Sequence, residues 1–263
     1  TYYDTIADFY KRVSTLFYFN NDFTSLRGIR YFHDLSKSSM FFGMDRCGSY
    51  YYFIGQEKPA DSVFSFVCKA DTLGNIKWKR RFRYEFPFAF ETPITKPIQI
   101  IRMADEKHII TFDSYTSYSG INKQYIACID SAGKIVWEKA VDDNPLYYQT
   151  SLTISSVDNN NFIIAWSDPL VKTTIYPYYS FNPNTTIWAA KMDLAGNYLW
   201  KKSYREFAWI RDTQQIVHLS SAPDLDGNVV LGFSFFYFNC GIIKIRPNGS
   251  VKWSRQFEIY NEN

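Results

Sequence analysis

Apolar and polar positions alternate in short runs along most of the chain, and the runs come in groups of four. The first run of each group covers 39–43, 98–103, 152–156 and 216–219. An acidic or glycine-containing turn follows at 45–48, 105–107, 158–161 and 224–227. A strongly apolar second run comes next, at 51–55, 108–112, 162–166 and 229–233. The last two runs flank a phrase that recurs, Asp-x-x-Gly-x-x-x-Trp. It is carried by Asp71, Gly74 and Trp78, by Asp130, Gly133 and Trp137, and by Asp193, Gly196 and Trp200; Gly249 and Trp253 form a copy without the Asp. Short strands with turn signals at regular intervals predict an all-β repeat fold. Four antiparallel strands per unit are the makeup of a propeller blade. The expected fold is a β-propeller of four full blades, with a partial fifth at the N-terminus.

Each copy of the phrase reads as a β-hairpin. An Asp at the start of a turn bonds the backbone two residues on, and Gly supplies the positive φ that closes it. The Trp then stands on the second strand, where a large flat ring wedges between neighbouring sheets. All four Trp side chains are expected to be largely buried at equivalent places.

Residues 2–18 follow a different rhythm. Tyr3, Ile6, Phe9, Val13 and Phe17 fall at three- and four-residue steps with polar residues between, which predicts an amphipathic helix. The competing reading is a strand over 16–19 and a degenerate hairpin, in which Gly28 and Phe32 stand in for the repeat's Gly and Trp. The organisation expected is an N-terminal extension over 1–37, the repeat domain over 38–258 and a short tail over 259–263. The apolar face of the extension has no partner in the repeat plan, so it is a candidate assembly face, either capping a blade or docking on a neighbouring chain.

Composition supports a folded chain rather than a disordered one, with 46% hydrophobic and 21% charged residues. A net charge of +3 with scattered basic residues gives no argument for nucleic acid. No apolar run approaches the roughly 20 residues of a membrane-spanning helix. The chain starts at Thr1 without a signal sequence, consistent with a processed or trimmed chain. Cys68 and Cys128 read as small buried strand residues, while Cys47 and Cys240 lie nearer turns and could form a disulfide.

The second-to-third-run connection of the third unit is long and aromatic. Tyr176, Tyr178, Tyr179 and Phe181 make it a candidate contact loop, with folding back on itself as the alternative. Asn184 and Asn248 stand in Asn-x-Ser/Thr sequons, which makes them candidate glycosylation sites. No phosphate-cradling loop, Gly-x-Ser-x-Gly elbow or His-Glu-x-x-His is present, and His33, His108 and His218 are far apart. No catalytic, cofactor-binding or metal-ligating residue is therefore assigned.

The repeated phrase, through Asp71, Gly74, Trp78, Asp130, Gly133, Trp137, Asp193, Gly196, Asn197, Trp200, Gly249 and Trp253, resembles the blades of quinoprotein-like propellers. It is more similar still to repeat propellers of secreted bacterial surface proteins. In quinoprotein dehydrogenases the Trp motif holds an eight-bladed ring together. This chain has about half that length and no adjacent cysteine pair, so no quinone cofactor is expected. The resemblance implies a secreted or cell-surface protein. The function expected is a non-enzymatic interaction or assembly module that associates with protein, itself included. The alternatives are a carbohydrate-active propeller enzyme and a lectin-like glycan binder.

Overall fold

A computed structural model describes residues 2–6, 9–19, 26–32, 37–59, 63–83, 94–115, 122–141, 151–169, 185–204, 216–235 and 239–258. Four sheets of four strands dominate it. The first is β4 (Lys37–Cys47), β5 (Tyr50–Pro59), β6 (Phe64–Asp71) and β7 (Ile76–Phe82), preceded in the chain by β1 (Tyr2–Ile6), β2 (Phe9–Phe19) and β3 (Leu26–Phe32). The second is β8 (Ile94–Arg102), β9 (His108–Tyr115), β10 (Asn122–Ile129) and β11 (Ile135–Ala140). The third is β12 (Leu152–Ser156), β13 (Asn161–Pro169), β14 (Thr185–Asp193) and β15 (Tyr198–Tyr204). The fourth is β16 (Ile216–Pro223), β17 (Val229–Phe235), β18 (Asn239–Ile245) and β19 (Val251–Glu258). Each is an antiparallel meander in sequence order, the four-strand plan expected from the alternation. The first strands β4, β8, β12 and β16 pack on one another in succession, so the sheets stand around them as propeller blades.

The core lies between the sheets. On β13, Phe162, Ile164 and Trp166 join a cluster with Ile109, Ile126 and Cys128 of the second sheet. Their neighbours Ile163 and Ala165 pack the other way, with Val229, Leu231 and Ile243 of the fourth. A strand side chain points to alternate faces with a period of two, so a blade buried on both faces needs an unbroken apolar run. That is why the second strands are the most apolar stretches. Each fully buried Ile or Leu contributes roughly 1.5–3 kcal/mol. Cys68 and Cys128 are buried in strands as expected, and burial pushes their thiols up to about 12 and about 11. Cys47 and Cys240 are free thiols on the first and fourth sheets, so the disulfide alternative does not hold.

The N-terminal helix is corrected. β1, β2 and β3 form a three-stranded antiparallel sheet, with Tyr2 opposite Val13 and Ser14 opposite Phe32. Phe9, Val13 and Phe17 are four apart, a step that fits a two-residue period as well as a 3.6-residue one. The Tyr, Phe, Thr and Val content of 9–19 then favours the strand. Tyr3 and Ile6, three apart, fall in opposite registers of β1, so the five positions share no single face. Among the described residues, the one helical turn is a 3₁₀ segment at Ala104–Glu106.

The N-terminal hairpin nevertheless belongs to the repeat. In every blade the third and fourth strands slip by one residue just before the Trp. Lys69 lies opposite Trp78 but Ala70 opposite Ile76; Lys244 lies opposite Trp253 but Ile245 opposite Val251. The β2–β3 pair carries the same bulge, with Tyr18 opposite Gly28 and Phe19 opposite Leu26. The bulge places Gly28 in the register of the Trp, not in that of the turn glycine that its identity suggests.

A buried carboxyl marks one weak point. Asp113 on β9 has an inner oxygen, Oδ1, without a hydrogen-bond partner among the described residues. Burial pushes its carboxyl up to about 7, against the smaller pull of a Gln124 hydrogen bond and the Lys96 charge. The folded pKa lies above that of the unfolded chain, so the native state holds the proton more tightly and stability falls as pH rises through that window. Asp113→Asn is expected to raise the thermal midpoint at pH 8 and leave it unchanged at pH 3, as calorimetry at the two values will show.

Candidate interaction surface

The repeat turns are built alike. The Asp71 carboxylate accepts N–H bonds from Leu73 and Asn75 at 3.0 and 2.9 Å, and the Gly74 N–H returns to the Asp71 carbonyl at 2.9 Å. Asp130 does the same for Ala132 and Lys134. In the copy that lost its Asp, the Asn248 side chain accepts the Ser250 N–H at 3.0 Å. A type I turn closed by a left-handed glycine is a standard three-residue hairpin loop. Gly74, Gly133, Gly196 and Gly249 all have φ between 77° and 85°. Turn capping therefore accounts for the recurring Asp. Asn197 holds both Asp193 oxygens, and these bonds keep that carboxyl below its usual range despite the burial that opposes them.

What the turns do next explains the Trp. The Trp78 ring lies over Gly133 of the following blade, so close that a Cβ there would meet it at 2.8 Å. Trp137 covers Gly196 and Trp200 covers Gly249 in the same way, with corresponding distances of 3.0 and 3.1 Å. Each indole N–H donates to the carbonyl two residues before that glycine: Ser131 at 3.1 Å, Leu194 at 2.8 Å and Pro247 at 2.9 Å. The cation two residues after the Trp adds a further bond in two cases, from Lys139 to the Gly196 carbonyl and from Lys202 to that of Asn248. Each blade is thus fastened to the next at its outer strand by one interlock, and only glycine fits beneath the ring.

Trp253 breaks the series. It repeats the pattern with Arg255 and Phe257 at the two following same-face positions, yet its ring is 39% exposed and Phe257 is 44% exposed. Trp78, Trp137 and Trp200 are half-buried by comparison. The expectation that all four are largely buried holds for none in full and fails for Trp253, the most exposed of the four. Together with Ile242 these three residues line an apolar depression of about 500 Å³. One blade earlier, Ala189 and Tyr204 at the places of Ile242 and Phe257 are buried against the fourth sheet, while Trp200 is half-buried and Lys202 exposed. Arg255 and Phe257 are legible from the spacing alone, since Lys202 and Tyr204 stand at the same distances after Trp200.

A second polar cluster joins the inner strands. Gln99 on β8 donates to the Ile154 carbonyl at 2.9 Å and accepts from Thr153 at 3.1 Å, and Ser221 on β16 bonds Thr153 and Ser155. These bonds satisfy one another and tie three blades at their first strands. His108 is fully buried, stacked on Tyr52 at 3.8 Å, with its Nδ1 against the Glu106 carbonyl. Burial lowers its pKa to about 4, so it is a neutral packing residue. Among the described residues no cluster of three His, Cys, Asp or Glu could hold a metal ion, and no helix is long and apolar enough to cross a membrane. Tyr176, Tyr178, Tyr179, Phe181 and Asn184 lie outside the described residues. Asn248 is exposed on its turn.

No family model and no curated protein matches this chain. Solved structures do. The Dos1 propeller is 9% identical over 87% of this chain and 49% of its own, with a TM-score of 0.45. A leech intramolecular trans-sialidase, solved with 2,7-anhydro-Neu5Ac, is 14% identical over 82% and 32%, at 0.49. A luciferin-regenerating enzyme is 10% identical over 84% and 78%, at 0.40. The chain spans about half of the first of these and a third of the second.

Proposed function

We propose that this chain is a non-enzymatic β-propeller module that binds protein, and that it works outside the cell or on its surface. One observation carries the reading: Ile242, Trp253, Arg255 and Phe257 line an apolar depression, with Trp253 and Phe257 more exposed than Trp200 and Tyr204 at the same places one blade earlier. Concave apolar sites with a few polar groups are candidate binding sites, and Trp and Arg are the residues on which interfaces most depend. The extracellular setting is supported by the similarity of the repeat to secreted propellers and by the exposed sequon at Asn248.

A photo-crosslinking amino acid at position 257, in the organism that makes the protein, tests the reading. Protein adducts are expected, and Trp253→Asp should abolish them. Absence of any protein adduct, or turnover of a polysaccharide by the purified chain, would overturn it in favour of a carbohydrate-active enzyme.

A further inference from the structure

At one place in the repeat, the joint between the first two sheets differs from the two joints that follow. His108 opens β9 and is fully buried, stacked on Tyr52 of the first sheet at 3.8 Å. Trp78 stands edge-on to the same Tyr52 ring at 5.9 Å. The imidazole Nδ1 meets the Glu106 carbonyl at 3.2 Å, and Nε2 has no hydrogen-bond partner among the described residues. In the ladder His108 lies opposite Ile129, as Phe162 lies opposite Met192 and Val229 opposite Ile245. Phe162 packs between the second and third sheets and Val229 between the third and fourth. Where those joints have an apolar side chain, the first has a base.

We propose that the joint between the first and second sheets is acid-labile: a proton on His108 releases the first sheet from the second, while the next two joints stay packed. The charges that face the imidazole are cations. Arg102 is its ladder partner on β8, and Lys69 on β6 reaches over the Tyr52 ring at 5.3 Å. The Glu106 carboxylate, on its exposed turn, faces Lys69 and Tyr52, and the buried Cys47 thiol lies beside Tyr52. A proton on Nε2 would thus create a buried donor without an acceptor and a third positive charge. The Tyr52 face attracts a cation but does not replace a lost hydration shell. The Glu106 carbonyl favours the proton too, yet burial outweighs it and holds the ring at about 4, against 6.5 when exposed. The open joint therefore binds the proton more tightly and gains population as pH falls through that window. Asp113 shares a face of β9 with Ile109, toward the third sheet, and acid makes it neutral, so that joint is not opened. The turn carboxylates Asp71, Asp193 and Asp224 are held below their usual range and titrate beneath the window.

Each joint has its own reporter, since the indole N–H groups of Trp78, Trp137 and Trp200 bond across the first, second and third in turn. NMR-detected exchange of these protons in the full chain, corrected for intrinsic rates, tests the proposal at pH 7.5 and pH 5. Protection of Trp78 is expected to fall roughly 30-fold at pH 5, the ratio that a shift from 6.5 to about 4 implies. Trp137 and Trp200 should keep theirs. His108→Phe, which installs the residue of the third sheet, should remove the difference between the two pH values. Should that variant not fold, Arg102→Glu at an exposed position places an anion beside the ring and should reduce the loss at pH 5. A Trp78 N–H equally protected at both pH values, an equal loss at all three indoles, or an undiminished loss in these variants would each overturn the proposal.

Discussion

Trp137→Ala will destabilise the fold by about 3 kcal/mol, the lower part of the range for deleting a large aromatic from a core, because the ring is only half-buried. The side chain packs against the cluster shared by the second and third blades and covers Gly196. Its removal opens a void, and it strips the Leu194 carbonyl of the indole N–H at 2.8 Å. In a domain of this size the expected fall in Tm is about 6–12 °C. Trp253→Ala is the internal control. That ring caps no turn among the described residues, so its loss from a dilute monomer should change stability by less than about 0.5 kcal/mol. Equal losses in the two variants would mean that burial of the ring, and not its seat on the next turn, is what the repeat preserves.

The second large effect is expected from the glycine side of the same interlock. Gly196→Val meets two penalties at once. Its φ of +84° suits glycine alone, and leaving that freedom costs a side chain roughly 1–2 kcal/mol. The new Cβ would also stand 3.0 Å from the Trp137 ring, and forcing atoms into a packed site adds roughly 1–3 kcal/mol. Gly48 separates the two contributions. It has φ +59° but nothing within 4 Å of the place a Cβ would take, so Gly48→Val should incur the backbone cost alone. Chemical denaturation of the two variants side by side gives the difference. Combining Gly196→Val with Trp137→Ala should recover part of the loss, since the ring that clashes is gone, and that non-additivity is the sign of direct contact.

Much of the architecture can be read from the chain because several local signals agree. The Asp71 and Asp130 turns, the left-handed glycines and the apolar second strands each point to the same hairpins, and the strands form where the alternation places them. The N-terminal sheet reads as a helix for a definite reason: Phe9, Val13 and Phe17 are spaced by four, which two periodicities share, and only pairing with β1 and β3 decides between them. The role of the turn glycine is half legible. A positive φ follows from the turn itself, whereas the second requirement, room for the Trp of the preceding blade, depends on a residue some 55 positions earlier. Exposure of Trp253 is not legible from its own phrase, which keeps the Gly and the Trp of the others, because it depends on the surface opposite the ring. Its companions Arg255 and Phe257 are, through the spacing they share with Lys202 and Tyr204.

The indole N–H protons report most directly on the central claim, that three Trp residues are seated on the following blade and the fourth is exposed. Nitrogen-15 labelling of the indoles and NMR-detected hydrogen exchange, run at low and high protein concentration, resolves them one by one. The N–H groups of Trp78, Trp137 and Trp200 should be protected at both concentrations. That of Trp253 should exchange freely in dilute solution. A Trp253 N–H protected as strongly as the other three in dilute solution would contradict the account.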